Sequence, residues 1–527
     1  MPNSRSLDLY SGVDPDVERS KSFADAELKA YWELVQGHER SDFLEHGNRV
    51  VEIVRSYADG LVSPFVYQVA LLHDLVDRMM HCGDDDPRFR AAATAIYKYL
   101  SELTNHEDGY ESHIGDFISH NLADLTSIEN YAEKYRIEMA HKDETMREFI
   151  QNKDSREPLG SEMWRYELPY INLENLRESA LVHNIEAVII KAAEAIDNLV
   201  HPAPNGYALL QDILEAESYY APLCESMGLD AMAMKLRSEA TKRRLEKLGK
   251  KDVIDRALQL RKSALESGFQ EKLPGILGAN AIDYDFSPSV SFNLEDDHSI
   301  LMSGTIIGGQ FNGAELRLRL KSVGSIAKKI DKDLAKHPEF GGRDPLDIIG
   351  ITIISHTDEV SSDRFSQGLQ LVDASPEMSL EIAPSKATPA FVQGDKDFIA
   401  KFDSPDEHVS LGKEIQEIDG KPDPFPYKVA KFTGRYREKV PFEVQFLTAQ
   451  DRKAARVGMT AHILFKLAEF KERKIKYTED EAEDLIKQLT DMYERRDHID
   501  KSAKNINKRS RLNIGPFMDR MFYGLAA

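Results

Sequence analysis

The sequence predicts a multidomain protein, with an all-α domain followed by an α+β domain and a helical tail. Three observations carry this. The chain has 527 residues, which is length for two to four domains. From about Asp25 to Leu248 its apolar residues recur at helical spacing. Beyond about residue 275, short segments rich in Ile, Val, Phe and Thr alternate with helical patterns.

The elements follow in order. LEHGNRVVEIVRSYADG (Leu44 to Gly60) is amphipathic and stops at a glycine. The next helix, SPFVYQVALLHDLVDRMM, starts with Ser63 and Pro64 as N-cap and first position. Glu174 to Leu199 is strongly apolar in its second half, so a central helix is expected, ending before the loop HPAPNG. The segment starting YYAPLC reads as two helices broken near Gly228. Between Cys82 and Tyr170 the pattern is too polar to place elements. In the second half, SILMSGTIIGG, DIIGITIIS, KVAKFTG and PFEVQFLT read as strands. KSVGSIAKKIDKDLAKH and AARVGMTAHILFKLAEFKERK read as helices, and His356 to Asp423 as an inserted, loop-rich region. The expected division is an arm over 1–24, a helical domain over 25–250 and a linker over 251–275. An α+β domain over 276–470 and a helical tail over 471–527 complete it.

Composition limits the function. Lys and Arg number 68 against 90 Asp and Glu, a net charge of −22. Sequence-independent capture of nucleic acid needs a basic surface, so no nucleic-acid partner is expected. A local basic pocket for a phosphorylated small molecule stays open. Two cysteines make no disulfide framework. No apolar run reaches the roughly 20 residues that span a bilayer, and the start lacks the apolar core of a secretory signal. A cytoplasmic protein without membrane contact is the expectation.

Two constellations carry chemistry. His73-Asp74, inside the apolar run ALLHDLVD, offers an imidazole nitrogen and a carboxylate oxygen to a divalent metal. His46 lies on the preceding helix. Glu194 lies on the long apolar helix, where a carboxylate is costly to bury without a partner. A hydrogen-bonded core histidine is the simpler reading of His73 taken alone. The second constellation is LRLKSVGSIAKKI (Leu318 to Ile330). It spaces Arg319, Lys321, Ser325 and Lys329 as a basic stripe at the start of a helix, suited to triphosphate or simply solvated.

FLEHGNRVVEIV, ALLHDLVD, IIKAAEAIDNL and YYAPLCESMGLDAMAMKLRSEA resemble, in order, the hydrolase domain of RelA/SpoT-type alarmone enzymes, a branch of the HD metal-dependent phosphohydrolases. The resemblance implies an HD-type helical domain with Mn²⁺ on His46, His73, Asp74 and Glu194. It implies a water-directing carboxylate at Asp77, with Arg78 where the family has a second acid, and a nucleotide contact at Asn198. Arg40 and Arg49 are candidates to hold diphosphate oxygens. LRLKSVGSIAKKI, DPLDIIGITIIS and PYKVAKFTGRYREKVPFEVQFLTAQDRKAARVGMTAHILFK resemble the synthetase domain of the same family, implying a nucleotidyltransferase-like mixed sheet. There Asp347 and Glu443 fall on the Mg²⁺-binding catalytic carboxylates. Arg319, Lys321, Ser325 and Lys329 fall on phosphate positions, Tyr427 on the base-stacking tyrosine, and Gln445 two residues beyond Glu443 on the same strand face. Gly324, Thr352, Phe425, Lys431 and Leu447 depart from the family's Tyr, Arg, Asn, His and Arg.

The expected activity is removal of the 3′-pyrophosphate from (p)ppGpp to give GDP or GTP. The alternatives are ATP-dependent pyrophosphoryl transfer to a guanine nucleotide, or a catalytically degenerate nucleotide-binding regulator. The expected partners are a guanine-nucleotide alarmone and ATP. The chain stops about 60 residues after the synthetase motif, which argues against a ribosome-triggered role.

Overall fold

A computed structural model of the chain describes residues 43–58, 66–67, 69–70, 73, 125, 128, 132–137, 144–151, 161–165, 185–226, 229–285, 300–309, 311–338, 341–345, 347–355, 378–380, 410–411, 430–437 and 439–449. Asp74, Asp77 and Tyr427 lie outside them, as do Arg40, Arg78, Phe425, the helix expected over 454–474 and the tail. The described elements divide into two compact units. In neither is any described helix long and apolar enough to cross a membrane.

The first unit is helical. It contains α1 (Phe43–Ala58), helical residues between 66 and 73, most of α2 (Glu144–Gln151) and α3 (Ile185–Val200). α1 packs against α3, burying Val50 and Val54 on one side and Val188, Ile189, Ala192, Ala193 and Ile196 on the other. α3 ends where the sequence turns to HPAPN, and His201 N–H closes the last turn on Asp197 O at 2.7 Å.

The second unit contains a 3₁₀ turn (Ser161–Arg165), then helices α4 (Gly206–Glu215), α5 (Ala221–Ser226), α6 (Asp230–Lys247), α7 (Lys251–Leu265) and α8 (Phe269–Ile276). A π-turn over Ala216–Tyr220 joins α4 to α5. Ala221, Leu223 and Cys224 of the YAPLC segment are buried. The sequence places these helices up to residue 250 in the first domain. In the structure, 203–247 group with the sheet, because α6 packs on α9 (Val323–Lys336).

The sheet has eight strands among the described residues: β1 (Ala281–Asp285), β2 (Ile300–Ile307), β3 (Glu315–Leu320), β4 (Ile349–Ser355), β5 (Met378–Leu380), β6 (Ser410–Leu411), β7 (Ala430–Tyr436) and β8 (Val440–Thr448). The order is β1-β2-β3-β4-β8-β7-β5, with β6 also on β7. β4 and β8 are parallel and the other pairs antiparallel, so the sheet is mixed. A helical region followed by an α+β region is therefore the observed architecture.

One expectation is corrected. The stripe from Leu318 to Ile330 does not lie at the start of a single helix. ELRLRL alternates strictly, with Leu316, Leu318 and Leu320 buried and Glu315, Arg317 and Arg319 half-buried. That period of two makes it a central strand, and the helix begins only at Val323, capped by Ser322 Oγ.

The three leucines join Ile349, Ile351, Ile353, Phe442, Val444 and Phe446 on one sheet face. Against them pack Val253, Ile254 and Ala257 of α7, Leu273 of α8 and Ile326, Ala327 and Ile330 of α9. The polar residues of the same strands are thereby assigned to the opposite face.

Candidate functional site

In the first unit, α1 and α3 bring His46, Arg49, Glu194 and Asp197 into one neighbourhood with His73. Asp197 is its centre. His46 Nδ1 donates to Asp197 Oδ2 at 2.6 Å, and Arg49 donates through Nε to Oδ1 at 2.8 Å and through Nη2 to Oδ2 at 2.9 Å. His201 Nδ1 adds a third contact, to Oδ1 at 2.8 Å. The Asp197 side chain is 1% exposed. Burial works to raise its carboxyl, but the hydrogen bonds and charges of His46 and Arg49 outweigh it and hold it at about 2.

These contacts fix tautomers. A carboxylate only accepts, so His46 Nδ1 carries hydrogen and a neutral His46 presents its lone pair at Nε2. His73 Nδ1 lies 2.5 Å from the Ala70 carbonyl oxygen, so it too is the donor and Nε2 the lone-pair atom. The two rings stand 5.4 Å apart between centroids. With His73 neutral, its Nε2 faces Glu194 Oε2 at 3.4 Å, two acceptors confronting one another; with His73 protonated, the same contact is an ion pair. Lys191, buried one turn earlier on α3, places Nζ 2.6 Å from the same Oε2. Asn198 follows Glu194 by one turn and is half-buried.

The donor chemistry suits a divalent ion: two imidazoles oriented through Nδ1 by a carboxylate and a carbonyl, with a carboxylate nearby. Among the described residues, however, no three of His, Cys, Asp or Glu are grouped closely enough to hold one. Of the four expected ligands, His73 touches Glu194 and its ring stands beside that of His46; the fourth, Asp74, lies outside the described residues. Arg49, a candidate for diphosphate, is paired with Asp197 and one-third exposed. Sequence reading gave no role to Asp197 or Lys191. Their signal was position: i+3 and i−3 from Glu194 on an otherwise apolar helix.

In the second unit, Asp347 immediately precedes β4 and receives both Lys321 and Lys329 on Oδ2. Its Oδ1 is buried and has no hydrogen-bond partner among the described residues. Burial raises this carboxyl too, and the two ammonium groups more than reverse it, leaving it at about 2. Burial pushes the Lys321 ammonium downward, and Lys329 adds to that against the pull of Asp347. Lys321 follows β3 and is tied to β4 by its N–H on Ile348 O at 3.0 Å. Ser325 N–H donates to the capping Ser322 Oγ at 3.3 Å.

The register sets the rest in rows. Arg319, Gly350 and Glu443 stand side by side on β3, β4 and β8, and Arg317, Thr352, Gln445 and Lys431 form the next row. Arg319 lies over Gly350, its Nε 3.6 Å from where a Cβ would be. Glu443 is 5% exposed and accepts from Gln445 Nε2 at 2.6 Å. Two of the positions that differ from the resembled family have a packing reason. Leu447 and Ile354, opposite each other in the register, form a small buried cluster of their own. At Gly324, α6 passes so close that a Cβ would meet the Ser238 carbonyl oxygen at 2.3 Å.

Asp197 and Asp347 both have folded values below the ordinary 3.8. Each therefore contributes stability above that value which is lost as pH falls through about 2, at most about 2–3 kcal/mol per group. Denaturant midpoints are expected to fall between about pH 4 and pH 2, and less steeply in Asp347→Asn; an identical slope in that variant would contradict the assignment.

Compared with known proteins, the chain matches no protein-family model and no curated protein.

Proposed function

We propose that the first unit removes the 3′-pyrophosphate from a guanosine tetra- or pentaphosphate by metal-dependent hydrolysis, releasing GDP or GTP and pyrophosphate. One observation carries the reading: His73 Nε2 confronts Glu194 Oε2 at 3.4 Å, with the other ring nitrogen committed to the Ala70 carbonyl. With His73 neutral, two electron-pair donors face one another, and beyond the Lys191 ammonium already at Oε2 a cation at Nε2 would reconcile them. His46, His73 and Glu194, with Asp74, would hold Mn²⁺ or a like ion. Such an ion supplies Lewis-acid stabilisation of charge on the phosphate oxygens. Asp197 orients His46, and Lys191 offsets the burial of Glu194. Asp77 has the role of aligning the attacking water, and Asn198 that of holding the nucleotide.

The test is purified protein with ppGpp and Mn²⁺. Pyrophosphate release is expected, and His73→Ala is expected to reduce it by about 10²-fold or more. Release that is absent, or undiminished in that variant, would sink the proposal.

A second reading concerns the other unit: ATP-dependent pyrophosphoryl transfer to a guanine nucleotide. The observation favouring it is Asp347, whose Oδ2 takes both lysines while Oδ1 is buried and without a hydrogen-bond partner among the described residues. With Glu443, Asp347 would hold Mg²⁺, and Arg319, Lys321 and Lys329 would offset phosphate charge. Labelling of the acceptor from ATP that survives Asp347→Ala and Glu443→Ala would dismiss it.

A further inference from the structure

The second unit has a basic feature of which the readings of the chemistry use only Lys329. Lys329, Lys332 and Lys336 follow one another on α9 at spacings of three and four, so they share one helix face. That face borders a cavity of about 510 Å³, which Arg343 from the loop before β4 and Arg435 from β7 also line. The volume lies within the range of small-molecule sites.

The charge there is unbalanced. Both lining carboxylates are already engaged. Asp333 accepts from the Arg343 backbone N–H at 2.7 Å and from its Nη2 at 3.1 Å. Asp344 accepts from Arg256 Nη2 of α7 at 2.7 Å. Lys332 and Lys336 are exposed and have no ion-pair partner among the described residues.

The rim is also built rather than loose. Gly341 and Gly342 both have left-handed φ, +64° and +74°. Arg256 donates to their two carbonyl oxygens at 2.9 and 2.8 Å. A Cβ on Gly342 would come within 2.6 Å of Leu334 Cγ on α9. The turn is thus clamped between α7 and α9, and Arg343 is held at the cavity. Among the described residues the lining holds no aromatic side chain.

We propose that this cleft binds the phosphate chain of a polyphosphorylated small molecule. Lys332, Lys336, Arg343 and Arg435 contact the chain, and Lys329 joins the cleft to Asp347. Several cations on one face discriminate a chain of phosphates from a single one. Recognition by charge leaves the rest of the ligand unselected.

The test is calorimetry of the metal-free full chain with inorganic tripolyphosphate, which reads the cleft independently of any turnover. Binding is expected, with inorganic monophosphate weaker by about tenfold or more. Lys332→Ala/Lys336→Ala should weaken tripolyphosphate by about tenfold or more, with an unchanged circular dichroism spectrum and thermal midpoint. Lys251→Ala/Lys262→Ala on the exposed part of α7 removes the same charge from residues that do not line the cleft and should stay within about twofold, as solvent-screened charges would. The proposal is overturned if tripolyphosphate does not bind, if both double variants weaken it equally, or if monophosphate binds as tightly.

Discussion

Replacing Gly324 by alanine is expected to destabilise the second unit by about 2–3 kcal/mol or more, read as a lower thermal or denaturant midpoint. The added Cβ would lie 2.3 Å from Ser238 O and 2.6 Å from Ser238 Cα. Both are backbone atoms of α6, so no side chain can swing aside to make room. The helices would have to separate, and the Gly324 N–H bond to Ser238 Oγ at 3.1 Å would go with them. Ser238→Ala removes only that bond and should cost about 1 kcal/mol. The two variants therefore separate sterics from hydrogen bonding. A Gly324→Ala protein as stable as the wild type would mean that α6 and α9 are not packed as described. The same argument accounts for a glycine where the resembled family has a tyrosine: the crossing leaves no space for a ring.

The second large effect is expected at Asp197. Asp197→Ala removes a buried carboxylate that three side chains share and leaves His46, Arg49 and His201 without it. Breaking a buried charged network from one side costs about 3–5 kcal/mol. Here Arg49 is 33% and His201 50% exposed, so both can turn to water, and the expected loss is about 2–3 kcal/mol. Asp197→Asn keeps the shape and should cost less in stability. It still weakens the orientation of His46, and loss of such an outer partner lowers metal affinity about 10–100-fold. Unchanged Mn²⁺ affinity in a folded Asp197→Asn protein would separate Asp197 from the proposed site.

Much of this arrangement was legible in the sequence. β2, β4, β7 and β8 were visible as short β-branched runs, and α1 and α9 as amphipathic periods. His73 and Glu194 could be nominated because each is polar in an apolar run, and His46 through the family resemblance. The alternation of ELRLRL was equally plain, yet the lysines after it drew it into a helix. That is a competition between periods of two and 3.6 across a boundary that lacks a strong breaker. Lys191, Asp197 and Gly324 were not legible for a different reason. Their roles depend on which element passes nearby: α1 for Asp197, the His73 helix for Lys191's carboxylate partner, and α6 for Gly324. Local propensity does not encode such neighbours. The grouping of α4 to α6 with the sheet was hidden likewise, because it follows from the packing of α6 on α9.

The central claim is that His46, His73 and Glu194 form a cation site in the first unit. It is tested most directly by titrating Mn²⁺ into metal-free protein and following the free-ion spin-resonance signal. The account predicts one tightly bound ion that is lost in His73→Ala and in Glu194→Gln, while Asp347→Asn retains it. Absence of binding, or binding that survives both first-unit substitutions, would contradict the account.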